Sequence, residues 1–175
     1  KKTVSAAGNQ GFTACILAAQ NGRADYLGLL IEKGANVSAA NNQGATACML
    51  ATQNGHKDCL ELLIAAGADV SEKMTIGATA CMLAAQNGHA DCLEKLIAAG
   101  ADVSATYNEG WTACMLAAMS GKAECLELLI AAGADASAAT NQGATAYLIA
   151  EHNQHESCFR ILQAASETSL SLSRM

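Results

Sequence analysis

Proline is absent from the chain, aromatic residues make up only 3% of it, and no stretch reaches the roughly 18 consecutive apolar residues that a membrane helix needs. With alanine abundant and aromatics scarce, the composition predicts short helices packed closely through small side chains. The N-terminus lacks the charged, apolar and cleavage regions of a signal peptide, so a soluble intracellular protein, cytoplasmic by default, is expected. Basic residues are also few. Sixteen acidic residues face ten basic ones, a net charge of −6, and lysine or arginine clusters nowhere beyond Lys1 and Lys2. Nucleic-acid binding therefore lacks its usual electrostatic drive. No closely spaced glycine loop of the phosphate-binding type is present either, which removes support for a nucleotide cofactor.

What the chain does have is a grid. Gly11, Gly44, Gly77, Gly110 and Gly143 are spaced by 33 residues, and each is followed one residue later by Thr-Ala. Two further registers, Gly22/55/88/121 and Gly34/67/100/133, bring thirteen of the fifteen glycines onto the grid and leave out only Gly8 and Gly28. Self-similarity at this period predicts a stacked array of small units, each contacting mainly its neighbours.

The second unit shows how one period is built. Thr46 suits a helix N-cap and Gly55 a left-handed helix end, which frames one short helix. Cys59, Leu60, Leu63 and Ile64 line one face of a second helix, with Asp58 near its start and Gly67 at its end. Ala68 to Gly77 has no helical periodicity and carries turn residues, so it reads as a projecting loop. Neither helix is long enough to be stable alone, and stability must come from stacking.

These motifs resemble the ankyrin repeat family over nearly the whole chain. The matching residues are Leu50-Ala51, Leu83-Ala84-Ala85, Gly55-His56, Gly88-His89 and Gly67-Ala68-Asp69-Val70. The family's Thr-Pro-Leu-His becomes Thr46-Ala47-Cys48-Met49, Thr79-Ala80-Cys81-Met82 and Thr112-Ala113-Cys114-Met115, which removes a rigid helix start and puts the histidine-linked loop network in doubt. Serine stands at the loop asparagine position in Ser38, Ser71, Ser104 and Ser137, so the asparaginyl hydroxylation some members undergo is not expected. The resemblance implies an all-α solenoid of helix-turn-helix units. It also implies a non-catalytic module that binds another protein through loop tips and inner helices, without cofactor, metal or membrane. A structural spacer within a larger protein and a thiol redox sensor are the alternative functions.

On this register residues 1–10 are the outgoing loop of a preceding partial repeat. Repeats follow at 11–43, 44–76, 77–109 and 110–142, then a capping repeat at 143–165 and a frayed tail at 166–175. Gln154, Glu151 and Ser166-Glu167-Thr168 give the last unit the polar character of a cap. At the other end, Cys15, Ile16, Leu27 and Leu30 form an apolar face with nothing long enough before it to cover it. Further repeats or self-association are expected there.

Cysteine is another grid position. Cys15/48/81/114 and Cys59/92/125/158 occupy two registers, as small apolar residues would. A Cys-His nucleophile is weighed at His56 with Cys59 and at His89 with Cys92, but these histidines hold the ordinary junction register and no third orienting group recurs. Zinc ligation fails because equivalent cysteines on stacked helices sit about 8–10 Å apart. A Cys48–Cys59 pair within one unit would be the remaining oxidation-sensitive candidate. Glu61, Glu94 and Glu127 share a solvent-facing register.

Units this alike make their differences informative. The polar tips Gly8-Asn9-Gln10, Asn41-Asn42-Gln43 and Thr140-Asn141-Gln142 become Met74-Thr75-Ile76 and Tyr107-Asn108-Glu109 in the middle of the array. Alanine after the grid glycine becomes Trp111, and Phe12 at the far end, while the helix-end glutamine becomes Met119. Met74, Ile76, Tyr107, Glu109, Trp111 and Met119 are thus the expected partner-binding residues. The competing expectation is that the large side chains brace the loops.

Overall fold

The computed structural model of the chain describes residues 7–172, and Asn9 and residues 168–172 through their backbone alone. Two rows of helices run through it. Inner helices are α1 (Ala14–Gln20), α3 (Ala47–Gln53), α5 (Ala80–Asn87), α7 (Ala113–Met119) and α9 (Ala146–His152). Outer helices are α2 (Ala24–Glu32), α4 (Lys57–Ala65), α6 (Ala90–Ala98), α8 (Ala123–Ala131) and α10 (Glu156–Leu172). Inner helices pack on inner, outer on outer, and each pair is joined through its own unit, giving the all-α repeat solenoid.

The local signals explain these elements. Every inner helix starts at a threonine whose hydroxyl accepts the N–H three residues on: Thr13 from Ile16, Thr46 from Met49, Thr79 from Met82, Thr112 from Met115 and Thr145 from Leu148. Each such cap contributes about 1 kcal/mol, which replaces the help that a first-turn proline would have given. The thirteen grid glycines are the thirteen that adopt positive φ, while Gly8 and Gly28 do not. Asp69 Oδ1 accepts from Ser71 N–H at 2.8 Å, and the same turn recurs at Asp102–Ser104 and Asp135–Ser137. The serine that replaces the family asparagine is thereby built into the outgoing loop.

Between units, the loops form short hairpins that stack as a row of tips. The fourth has the fullest pairing, β1 (Thr106–Tyr107) with β2 (Trp111–Thr112), in register Thr106 to Thr112 and Tyr107 to Trp111. Single bridges Ala40–Thr46, Lys73–Thr79 and Ala139–Thr145 mark the same position elsewhere. The array is also tied at its junctions. His56, His89 and His155 each place Nε2 3.1 Å from a carbonyl of the preceding unit, on Gln20, Gln53 and Met119 respectively. Since a carbonyl only accepts, Nε2 carries the proton. The loss of the family's other histidine therefore leaves a histidine link between units in place.

Leu27, Leu60, Leu63, Leu93, Leu96, Leu126 and Leu129 are fully buried between the helix rows, with Ile16, Met49, Met82 and Met115 on the inner side. Each such side chain contributes about 1.5–3 kcal/mol by leaving water. Thr52 is the exception in this core. Its side chain is buried and its hydroxyl has no partner, where the first, third and fourth units hold Ala19, Ala85 and Ala118. Replacing Thr52 with valine keeps the shape and removes the unpaired hydroxyl, so thermal unfolding should shift up by about 1 kcal/mol or 2–4 °C.

Both ends differ from the sequence expectation. Cys15, Ile16, Leu27 and Leu30 are all buried, because they point into the first helix pair and toward the second unit. The apolar side chains left exposed in the first unit are Leu17, Tyr26 and Leu29; Tyr26 is 55% exposed in a register where Cys59, Cys92 and Cys125 are buried against the preceding unit. At the other end α10 continues to Leu172, where the sequence predicts a frayed tail from Ser166. The stretch contains neither glycine nor proline to stop the helix, and Ser166 Oγ donates to the Gln163 carbonyl within it. Residues 1–6 of the partial-repeat loop and 173–175 of the tail lie outside the described residues.

Candidate protein-interaction surface

The tips are linked to one another by backbone hydrogen bonds. Asn42 N–H donates to the Gln10 carbonyl at 3.0 Å, Thr75 N–H to Gln43 at 2.9 Å and Asn141 N–H to Glu109 at 2.8 Å. The matching bond from Asn108 N–H to Ile76 is missing among the described residues. One gap interrupts the row. It falls between the two tips, Met74–Ala78 and Tyr107–Trp111, whose sequences depart from the others.

A second difference lies inside the turns. At the first tip position Asn41 Oδ1 accepts from Gln43 N–H at 2.9 Å and Ala45 N–H at 3.0 Å, and Thr140 Oγ1 accepts from Ala144 N–H at 3.1 Å. Both side chains are buried closing their own turn. Met74 and Tyr107 occupy that register and have no oxygen there to do so. Their side chains instead line a groove of ≈ 270 Å³ together with Ile76, Leu50, Leu83 and Leu116. Gln43, Gln53 and Gln86 also line it, and no lining residue carries a formal charge.

Of the six residues expected from sequence, the groove takes Met74, Ile76 and Tyr107. A neighbouring concavity of ≈ 600 Å³ takes Tyr107 again with Asn108, Glu109 and Trp111. Met119 lines neither; its carbonyl accepts from His155. Ile76 is 55% exposed and Glu109 is exposed, whereas Met74, Tyr107, Trp111 and Met119 are half-buried against the core. The large side chains therefore brace the hairpins through one part of their surface and line the concavities with another. Tyr107 rests on the preceding tip, its Cβ 3.3 Å from where a Gly77 side chain would begin. The groove floor, Leu50, Leu83 and Leu116 with Gln53 and Gln86, was missed because each of these residues is the usual one in its register, and comparison between units finds only departures.

Alternative chemistry is opposed by the same geometry. The eight cysteines are free and buried, and burial pushes every thiol up, to about 12 at Cys48, Cys81 and Cys114 and about 11 at Cys92 and Cys125. A sensor or nucleophile needs the opposite shift. The imidazoles of His56 and His89 engage carbonyls of the preceding unit, not the cysteines that follow them. Glu61 accepts from Lys95 of the next unit at 2.9 Å across the outer helices. No group of three or more potential metal ligands gathers among the described residues, and no described helix is long and apolar enough to cross a membrane.

No curated protein matches the chain significantly. A family model described as ankyrin repeats (3 copies) matches residues 2–74 and 81–171, and a second, ankyrin repeats (many copies), matches residues 54–97. With both matches following the helix pairs and hairpins described above, the chain belongs to the ankyrin repeat family.

Proposed function

We propose that the chain binds another protein on the concave surface made by its hairpin tips and inner helices, centred on the groove between the third and fourth tips. Ankyrin repeats are generally protein-protein interaction modules and typically non-catalytic, which supports the class of function. The location rests on one coincidence: the sequence departs from its repeat, the backbone link between tips is interrupted and an uncharged apolar groove opens, all at the same place. Met74, Ile76 and Tyr107 contact the partner in the groove, Glu109 and Trp111 at its edge, and Met119 at the end of α7. The scaffold is preformed, so binding orders little beyond these side chains.

Affinity capture on the native chain and on a Tyr107→Ala, Trp111→Ala double variant tests this. Truncating aromatic anchors at an interface centre costs ~2 kcal/mol or more, so the variant should bind its partner about thirtyfold more weakly with a melting temperature within a few degrees of native. Equal capture by the two proteins would favour the spacer role, and a fall of many degrees in melting temperature would assign the rings to bracing alone.

A further inference from the structure

The fourth hairpin combines side chains found together at no other described tip. Tyr107 and Trp111 are direct partners across its two strands, so their side chains leave the same face. Glu109 stands at the turn between them, where the other tips carry Gln10, Gln43, Ile76 and Gln142. These three side chains and Asn108 line the ≈ 600 Å³ concavity. The Glu109 carboxylate accepts one hydrogen bond, from Gln142 Nε2 to Oε2 at 3.2 Å. Its other oxygen has no partner among the described residues. The ion pairs of the described residues are Lys57–Asp91, Lys95–Glu61 and Arg160–Glu156, none of which reaches this tip. The rings are likewise without a stacked cation among the described residues; the ring contact present is Tyr147–Phe159.

A carboxylate with a free oxygen, in a concavity lined also by a tyrosine and a tryptophan, complements a cation on an apolar stem. The ring faces attract positive charge through their quadrupoles, and the carboxylate supplies the full opposite charge. We propose that Tyr107, Glu109 and Trp111 bind a basic side chain, arginine before lysine, of the same partner segment whose apolar residue occupies the neighbouring groove. This rests on the concave-surface reading and adds the partner's chemistry to it. Tyr107 lines both concavities and so sets the two subsites side by side. Asn108, whose N–H has no partner among the described residues, lines one concavity, and Ile76, whose carbonyl has none, lines the other, which leaves both groups for the backbone of an extended segment. Arginine is preferred because its planar guanidinium stacks on rings while donating to a carboxylate, which an ammonium does less well.

Random peptides displayed on phage and selected on the native chain provide the probe. Trp111 is the sole tryptophan, so its fluorescence reports the affinity of each synthetic peptide directly. The expected peptides carry an apolar residue close to an arginine or lysine. Replacing that arginine by citrulline, its uncharged isostere, should weaken binding about tenfold. Glu109→Gln should weaken the arginine peptide by the same factor and leave the citrulline peptide unchanged. This variant folds, because glutamine already occupies the position at three other tips. Selected peptides without a basic residue, or equal affinity of arginine and citrulline forms, would overturn the proposal while leaving the concave surface as the binding face. Selection of no peptide at all would overturn both.

Discussion

Replacing Gly44 with alanine is expected to destabilise the array by about 3 kcal/mol, lowering its melting temperature by roughly 6–12 °C. Two effects add. Gly44 has φ 75, where any side chain strains the backbone by about 1–2 kcal/mol. Its Cβ would also stand 2.9 Å from Thr75 N and 3.2 Å from Met74 Cα, atoms of the next hairpin's backbone that cannot turn aside like a side chain. The neighbouring tip must move, and the bond from Thr75 N–H to the Gln43 carbonyl is lost with it. Gly67 separates the two effects. It has φ 85, and a Cβ placed on it would meet nothing within 4 Å, so Gly67→Ala should cost only the strain of about 1–2 kcal/mol. Gly28, in ordinary helical conformation with open space around it, should stabilise the chain by about 0.5–1 kcal/mol when replaced by alanine. Equal losses at Gly44 and Gly67 would show that tip-to-tip contact contributes nothing.

The cysteines give the largest expected kinetic effect. Cys48, Cys81 and Cys114 are pushed up to about 12 from an ordinary 9, chiefly by burial, which lowers their thiolate fraction near neutral pH about a thousandfold. In native protein mixed with a thiol reagent these three should therefore react about a thousandfold more slowly than in unfolded protein, the other five should also be slowed, and denaturant should release all eight thiols together. The sign of the pH effect follows. These thiols stay neutral in the folded state after their unfolded counterparts ionise, so stability is full below pH 9 and declines as pH rises from 9 toward 12. One rapidly labelled thiol in the native protein would revive the redox alternative.

The glycine grid made the repeat legible because positive φ is a local demand that few other residues meet, and each grid glycine does meet it. Threonine caps and the buried cysteine registers were legible for the same local reason. The end surfaces were not. Whether Leu27 or Leu29 faces outward depends on which neighbour each helix face meets, and the helical period alone leaves that choice open. The run of α10 past Ser166 was hidden by serines, whose weak helix preference is offset when nothing breaks the chain. At the proposed binding surface, Met74, Ile76, Tyr107, Glu109 and Trp111 stood out as departures from the repeat. The missing hydrogen bond beside them belongs to the backbone, which no residue identity records.

Hydrogen exchange of the chain, free and saturated with a bound partner protein, tests the central claim most directly. In the free chain Asn108 N–H, unbonded among the described residues, should exchange quickly while its counterparts Asn42, Thr75 and Asn141 are protected. Binding should slow exchange over Thr75–Ala78 and Asn108–Thr112 and leave the outer helices α4, α6 and α8 unchanged. Protection concentrated on those outer helices, with the third and fourth tips exchanging as before, would contradict the account.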